Sequence, residues 1–219
     1  MFIAYNARGM TRVRQMAGFT LIELMLVIAV IAVSAALAMP AIGGAIAEQR
    51  GANASYDLVR LGRRARAEAS AYGRAYQLSF TQVVGGGVGS FTLLRGTSPR
   101  CNSNDWVAIR SGGTCAENPM CVDSLDMRRH KTEGSEIRAR SPGLGAWIQL
   151  CFEPEGTMSY RRASLGPFVT HNTNLIRGGA RFCFQRFRNG VRTGVGRWVI
   201  FPLGGDARRF SGGRDCDEG

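Results

Sequence analysis

Lysine is almost missing from this chain: Lys131 is the only lysine among 28 Lys+Arg residues, so the positive charge is carried by arginine. Acids number 16, which leaves a formal net charge of +12. They are absent altogether from Gly156 to Gly205, a stretch that holds eight arginines: Arg161, Arg162, Arg177, Arg181, Arg186, Arg188, Arg192 and Arg197. Such a balance permits phosphate-rich partners, because arginine forks suit phosphate oxygens, and it equally describes a solvated or subunit-facing basic surface. Histidine is scarce too, with only His130 and His171. None of the six cysteines sits in a CxxC pair, so the zinc-binding spacings are excluded and no metal is expected. The run Gly85-Gly86-Gly87 lacks the following Gly-Lys-Ser/Thr of a phosphate loop and reads as a hairpin loop instead.

A catalytic constellation is lacking as well. His130 and His171 lie in polar, loop-like stretches without a nucleophile motif and are expected at the surface. Asp123/Asp126 and Glu153/Glu155 are close in sequence, but in a loop and at a strand end such carboxylates are expected to be solvated. No enzyme activity, cofactor or small-molecule substrate is expected. With 45% hydrophobic and 20% charged residues the chain is able to bury a core, and 219 residues suit one domain plus an anchor.

The strongest feature present is the run from Phe19 to Met39, FTLIELMLVIAVIAVSAALAM, whose only charge is Glu23. As a helix rising about 1.5 Å per residue it spans roughly the 30 Å hydrocarbon core. Arg8, Arg12 and Arg14 precede it without an acid, which places that end in the cytoplasm. An ordinary secretory signal cleaved near Ala36-Leu37-Ala38, or a generic signal anchor, would share this shape. Neither accounts for Glu23: a carboxylate inside an apolar helix is costly and calls for a partner.

Gly18-Phe19-Thr20-Leu21-Ile22-Glu23-Leu24 resembles the class III signal of type IV pilins and pseudopilins. The resemblance implies cleavage between Gly18 and Phe19 by the prepilin peptidase, N-methylation of Phe19, and retention of the apolar helix. It also implies the partner of Glu23: the positive N-terminus of Phe19 on a neighbouring subunit. Pro40, within the long helix, removes one hydrogen bond and is expected to kink it near Gly43 and Gly44. Residues 1–18 are thus read as a leader, 19–40 as a transmembrane helix and 41–74 as its amphipathic continuation.

In that continuation Ala54, Leu58, Leu61, Ala65, Ala69 and Tyr72 recur at spacings of three and four and predict one stripe lying on a sheet, with Gly73 as the stop. From residue 75 to 219 the period becomes two. Tyr76/Leu78/Phe80, Phe91/Leu93, Ile148/Leu150/Phe152, Phe182/Phe184 and Trp198/Ile200 predict strands with those residues inward. Residues 96–145, rich in Gly, Ser, Pro and Asn, read as a cysteine-containing insertion. The segments LVRLGRRARAEASAYGRAYQLSF, CFEPEGTMSYR and RWVIFPLGGDARR resemble the GspH/FimT branch of the family. Its late Gly-Arg-x-Arg turn would fall at Gly204-Gly205-Asp206-Ala207-Arg208-Arg209, which departs from that pattern. The implied fold class is α+β, a type IV pilin fold with a periplasmic β-rich head on a bacterial inner-membrane anchor.

An even set of cysteines beyond a membrane-targeting segment reads as disulfides. If Ile148, Leu150 and Phe152 face the core, Cys151 faces outward, and by the same alternation so does Cys183. The expectation is Cys151–Cys183, a second bond between two of Cys101, Cys115 and Cys121, and Cys216 with the remaining one. Two functions stay open. One is a minor pilin or pseudopilin acting with other pilins in initiation or tip assembly of a pilus or a type II secretion pseudopilus. The other is a DNA receptor in uptake, with Arg181, Arg186, Arg188, Arg192, Arg197, Arg208 and Arg209 as candidate contacts.

Overall fold

A computed structural model describes residues 19–82, 88–102, 115, 118–131, 134–142, 145, 147–161, 168, 179–202, 204, 206–212 and 216. The chain divides into two compact units, Met1–Gly44 and Ala45–Gly219, and one helix, α1 (Leu21–Tyr72), runs across the division. In the first unit Leu21–Ala38 has a mean hydropathy of 2.7 and its apolar side chains are exposed. Ser34 turns its hydroxyl back to the Val30 carbonyl at 2.8 Å, so that hydroxyl is satisfied within the helix.

In the second unit the α+β layout is as the sequence predicts. Ala54, Leu58, Leu61, Ala65 and Ala69 form the buried seam of α1. Tyr72, expected on the same stripe, is exposed, because α1 ends there and Gly73 turns the chain away with φ +62°. Three of the five seam residues are alanine, and Gly62 adds a bare backbone, so the helix sits close on the sheets.

The strands are β1 (Tyr76–Thr81), β2 (Ser90–Arg95), β3 (Cys121–Asp126), β4 (Ser135–Arg140), β5 (Trp147–Phe152), β6 (Met158–Arg161), β7 (Ala180–Arg188), β8 (Val191–Phe201) and β9 (Arg208–Ser211). They form two antiparallel sheets, in the orders β3-β2-β1-β5-β6 and β4-β7-β8-β9. Residues 121–126 and 135–140 were expected within a loop-rich insertion; they supply an edge strand to each sheet. The run Cys-Val-Asp-Ser-Leu-Asp buries only Leu125, which leaves little periodic signal to read.

Both sheets turn one face to the same core. Phe80, Phe91, Phe182 and Phe201 mesh there, with ring centroids 4.7 Å apart for Phe80–Phe91, 5.4 Å for Phe80–Phe182 and 5.8 Å for Phe182–Phe201. The Phe80–Phe182 and Phe182–Phe201 pairs are edge-to-face, and such pairs add about 0.5–1.5 kcal/mol each beyond their buried area. In β8 the inward residues are Val199 and Phe201; Trp198 and Ile200, expected inward, lie on the opposite face. Trp-Val-Ile-Phe is apolar throughout, so its alternation carries no information about which pair is inside.

The cysteine pairing also differs from expectation. The bonds are Cys101–Cys151, Cys115–Cys121 and Cys183–Cys216, with Cα separations of 5.9, 5.1 and 5.6 Å. Cys151 and Cys183 do face away from the core, but β5 and β7 belong to different sheets, so the two are not cross-strand neighbours. Each instead caps an outer face with a cysteine from outside the strands. Gly85-Gly86-Gly87 lies outside the described residues, although β1 and β2 do pair antiparallel across it.

Candidate assembly site and basic face

At the start of α1, Thr20 caps the helix. Its Oγ1 accepts the Glu23 amide at 3.3 Å, and its carbonyl accepts the Glu23 and Leu24 amides at 3.1 and 3.2 Å. Glu23 is therefore the third helical residue, where its carboxylate faces the positive end of the helix dipole. Phe19 is exposed beside it, ahead of the first turn. Gly18 lies outside the described residues. Pro40 lies inside the span of α1.

The arginines do not share one face. Alternation along β7, β8 and β9 distributes them to both sides of the second sheet. Arg186 and Arg197 point toward α1 and converge on Glu48, at 3.6 Å and 3.3 Å. Arg209 also turns to α1: its guanidinium lies 3.3 Å from the ring centroid of Tyr56 and donates to the Tyr56 hydroxyl. These three clamp the helix to the sheet. Arg208, which pairs with Ile200, is on the other side of β9 from Arg209, and Arg208–Ser211 is a strand where a turn was expected.

The outer face of the second sheet carries the remaining charge in two rows. One row runs Arg181, Ile200, Arg208; the next runs Arg140, Cys183, Trp198, Phe210. Trp198 and Phe210 stack with 4° between their planes. Phe187 lies under Arg138, whose guanidinium is 4.1 Å from the ring centroid, and under Arg140 at 5.9 Å. Arg192 pairs with Phe187 on this side, and exposed Arg188 flanks the β7–β8 turn. The result is a basic surface interleaved with aromatic rings. Arg138 and Arg140 belong to it and were missed from the sequence, although the alternation Glu136-Ile137-Arg138-Ala139-Arg140 marks them as outward. Arg162, Arg177, Arg214, Gly205 and His171 lie outside the described residues.

The paired acids have structural partners. Asp123 binds Arg64 of α1 at 2.9 Å, and Arg64 also donates to Glu68 at 2.6 Å. The Glu68 hydrogen bond is the main cause that holds the Arg64 guanidinium above its usual range. Asp126 caps the 3-10 turn Met127–His130 by accepting the Arg128 amide at 2.9 Å. Glu153 accepts the Cys101 amide at 2.9 Å and stands 3.8 Å from Arg100, which also approaches Glu155 at 3.6 Å. His130 is not at the surface: only 14% of its side chain is exposed, and it stands 3.9 Å from Asp57 on α1. Burial depresses its pKa; Arg50 and Arg129 act in the same direction, and Asp57 opposes them.

A model of the prokaryotic N-terminal methylation motif matches residues 13–39. No curated protein and no solved structure matches the chain. The chain thus bears a type IV prepilin-like signal ahead of an α+β, pilin-like layout.

Proposed function

We propose that this protein is a minor pilin or pseudopilin of the GspH/FimT kind, a structural subunit that acts in initiation or tip assembly. The observation that carries this reading is the start of α1: a lone carboxylate at the third helical position of an otherwise apolar, exposed segment, under a methylation motif. In the proposal the peptidase cuts between Gly18 and Phe19 and methylates Phe19. Glu23 then pairs with the amino terminus of a neighbouring subunit, an ion pair that a low dielectric favours strongly over a bare carboxylate. Pro40 gives the helix its point of bending, and the head stands in the periplasm. Mass spectrometry of the membrane-extracted protein should find an N-methylated Phe19 start; a start at Met39 would mean an ordinary signal peptide. Glu23→Ala should leave processing and insertion intact and abolish co-purification with partner subunits. Unchanged co-purification would remove the assembly role.

The outer face of the second sheet supports DNA capture as a second reading, since Arg208 stands on β9 with exposed Phe210, and Arg138, Arg140 and Arg181 share that face. Such a face would bind phosphate backbones without sequence preference and with steep salt dependence. Replacing Arg181 and Arg208 with Gln should flatten the salt slope by up to about two units, while the same change at Arg60 and Arg63 on α1 should not. Equal weakening from both pairs would mean diffuse electrostatics without a site.

A further inference from the structure

We infer that the hollow where β8 and β9 meet α1 is a binding site for a phosphate group. It lies on the inner side of the second sheet, opposite the outer basic face, and does not depend on that face's binding DNA. Arg197 pairs with Ser211 and Val199 with Arg209, and Val199 faces the core. Residues opposite one another in an antiparallel pair share a face, so Arg197, Arg209 and Ser211 rise together on the α1 side. With Phe210 they line a hollow of about 160 Å³. Drug-sized ligands occupy ~300–1,000 Å³, so this space suits a single ionic group. β9 is an edge strand with exposed residues, which leaves the hollow open to solvent.

The charges around it do not balance. Arg186, Arg197 and Arg209 all turn to α1, and the only described carboxylate that meets them is Glu48. Arg186 and Arg197 are 15% and 22% exposed, so their charges are largely out of water. Glu48 stands 3.6 Å from one and 3.3 Å from the other. A charge-assisted hydrogen bond measures about 2.7–2.9 Å, so this carboxylate is stretched between two cations and saturates neither. Nε of Arg186 and Oγ1 of Thr193, cross-strand neighbours, are buried with no partner among the described residues. Arg209 meets a phenol in place of an acid, the hydroxyl of Tyr56. The acids nearest along the chain are engaged elsewhere: Asp206 lies 3.5 Å from Arg66, and Asp57 lies 3.9 Å from Arg60.

Three guanidinium groups against one carboxylate leave a surplus of two positive charges in a partly buried place, where an unpaired ion is costly. A phosphoryl group carries about −1.5 to −2 at neutral pH and closes that balance, whereas a chloride or a single carboxylate closes half of it. Donors are in place for it. Among the described residues Arg197 spends only Nη2, on Glu48, and Arg209 spends only Nη2, on Tyr56. Each fork thus keeps donors for phosphate oxygens, and the Ser211 hydroxyl stands beside them. A phosphate held there ties the edge strand to the residues that grip α1, so binding should stabilise the head.

The test is calorimetric titration of the full chain in detergent at fixed ionic strength. Inorganic phosphate and, separately, glycerol 3-phosphate are the titrants, with chloride as the baseline. A single phosphate per chain should bind and saturate. Equal binding of glycerol 3-phosphate identifies a terminal phosphoryl group as the ligand; binding of inorganic phosphate alone identifies the free ion. Ser211→Ala, which removes no contact to α1, should weaken binding about tenfold, and Arg209→Gln at least as much. Arg63→Gln, an equal loss of charge at an exposed position of α1, should leave it unchanged. Glu48→Gln should tighten it, because the competing carboxylate is gone. Phosphate at roughly 100 times its Kd should raise Tm by about 5–10 °C. A rise that does not saturate, and that persists in Ser211→Ala and Arg209→Gln, would be the solvent effect of a kosmotropic salt and would overturn the inference. Equal weakening by Arg63→Gln and Arg209→Gln would overturn it too, since that means diffuse charge without a site.

Discussion

Two alanine substitutions in one helix should shift stability in opposite directions. Gly51 and Gly62 both lie in α1, and replacing glycine by alanine in a helix interior ordinarily stabilises by about 1 kcal/mol. A methyl group on Gly51 would stand 3.5 Å from Nε of Arg197, an ordinary contact, so the full gain should appear. A methyl on Gly62 would lie 2.2 Å from Cε1 and 2.9 Å from Cζ of Phe201. That ring cannot move away: it is buried, with Phe182 at 5.8 Å and Phe152 at 6.3 Å between centroids. Overpacking a fitted core costs about 1–3 kcal/mol, and a contact this short belongs at the upper end. Against the helix gain, Gly62→Ala should lose about 2 kcal/mol net. For a chain of this size that lowers Tm by about 4–8 °C, whereas Gly51→Ala should raise it by about 2–4 °C. Thermal unfolding of the detergent-solubilised full chain, followed by circular dichroism, measures both. Phe201→Leu in the Gly62→Ala background should recover part of the loss, since the shorter side chain vacates the ring's position. If Gly62→Ala stabilises as much as Gly51→Ala, the close seating of α1 on Phe201 is wrong.

Three further outcomes are expected. Non-reducing peptide mapping should find Cys101–Cys151, Cys115–Cys121 and Cys183–Cys216; a Cys151–Cys183 peptide would contradict the separation of β5 and β7 into two sheets. Because burial lowers the His130 pKa, the unfolded imidazole protonates first as pH falls, so stability is complete above the ordinary value of 6.5 and declines below it. His130→Gln should flatten that decline in denaturant titrations, and an unchanged slope would show that His130 does not contribute. Glu48→Gln should cost about 1 kcal/mol or less, the carboxylate being partly in water, and should raise protease sensitivity of the β7–β8 hairpin; no change in either would mean that Arg186 and Arg197 do not hold α1 through Glu48.

How far the fold was legible follows from the kind of signal each part carries. The N-terminal segment is readable because a lone acid in an apolar run has few physical explanations. The seam of α1 and the strands β1, β2, β5 and β7 are readable because their inward residues are large and their neighbours polar, as with Leu78 between Gln77 and Ser79. Trp198–Phe201 fails because every residue is apolar, and Cys151–Cys183 fails because alternation reports a face and not a sheet. The hairpin turn Asn189-Gly190 was available in the sequence and overlooked. The division of arginines between the two faces was available too: Arg186 shares the parity of Phe182 and Phe184, and Arg197 that of Val199 and Phe201, and both turn inward to α1.

The bond pattern bears on how such a chain is made. Cys115–Cys121 and Cys183–Cys216 join cysteines that follow one another along the chain, but Cys101–Cys151 skips over two. A polypeptide delivered N-terminus first offers Cys101 and Cys115 to an oxidant before Cys121 has emerged, and Cys121 before Cys151. Oxidation that keeps pace with delivery therefore joins Cys101 to Cys115 and strands Cys121 for Cys151. Both bonds must be undone by thiolate attack before β5 acquires its proper staple, an exchange that takes seconds to hours depending on oxidant and isomerase. Under that order of events, the yield of native protein follows the capacity to shuffle bonds more than the strength of the oxidant.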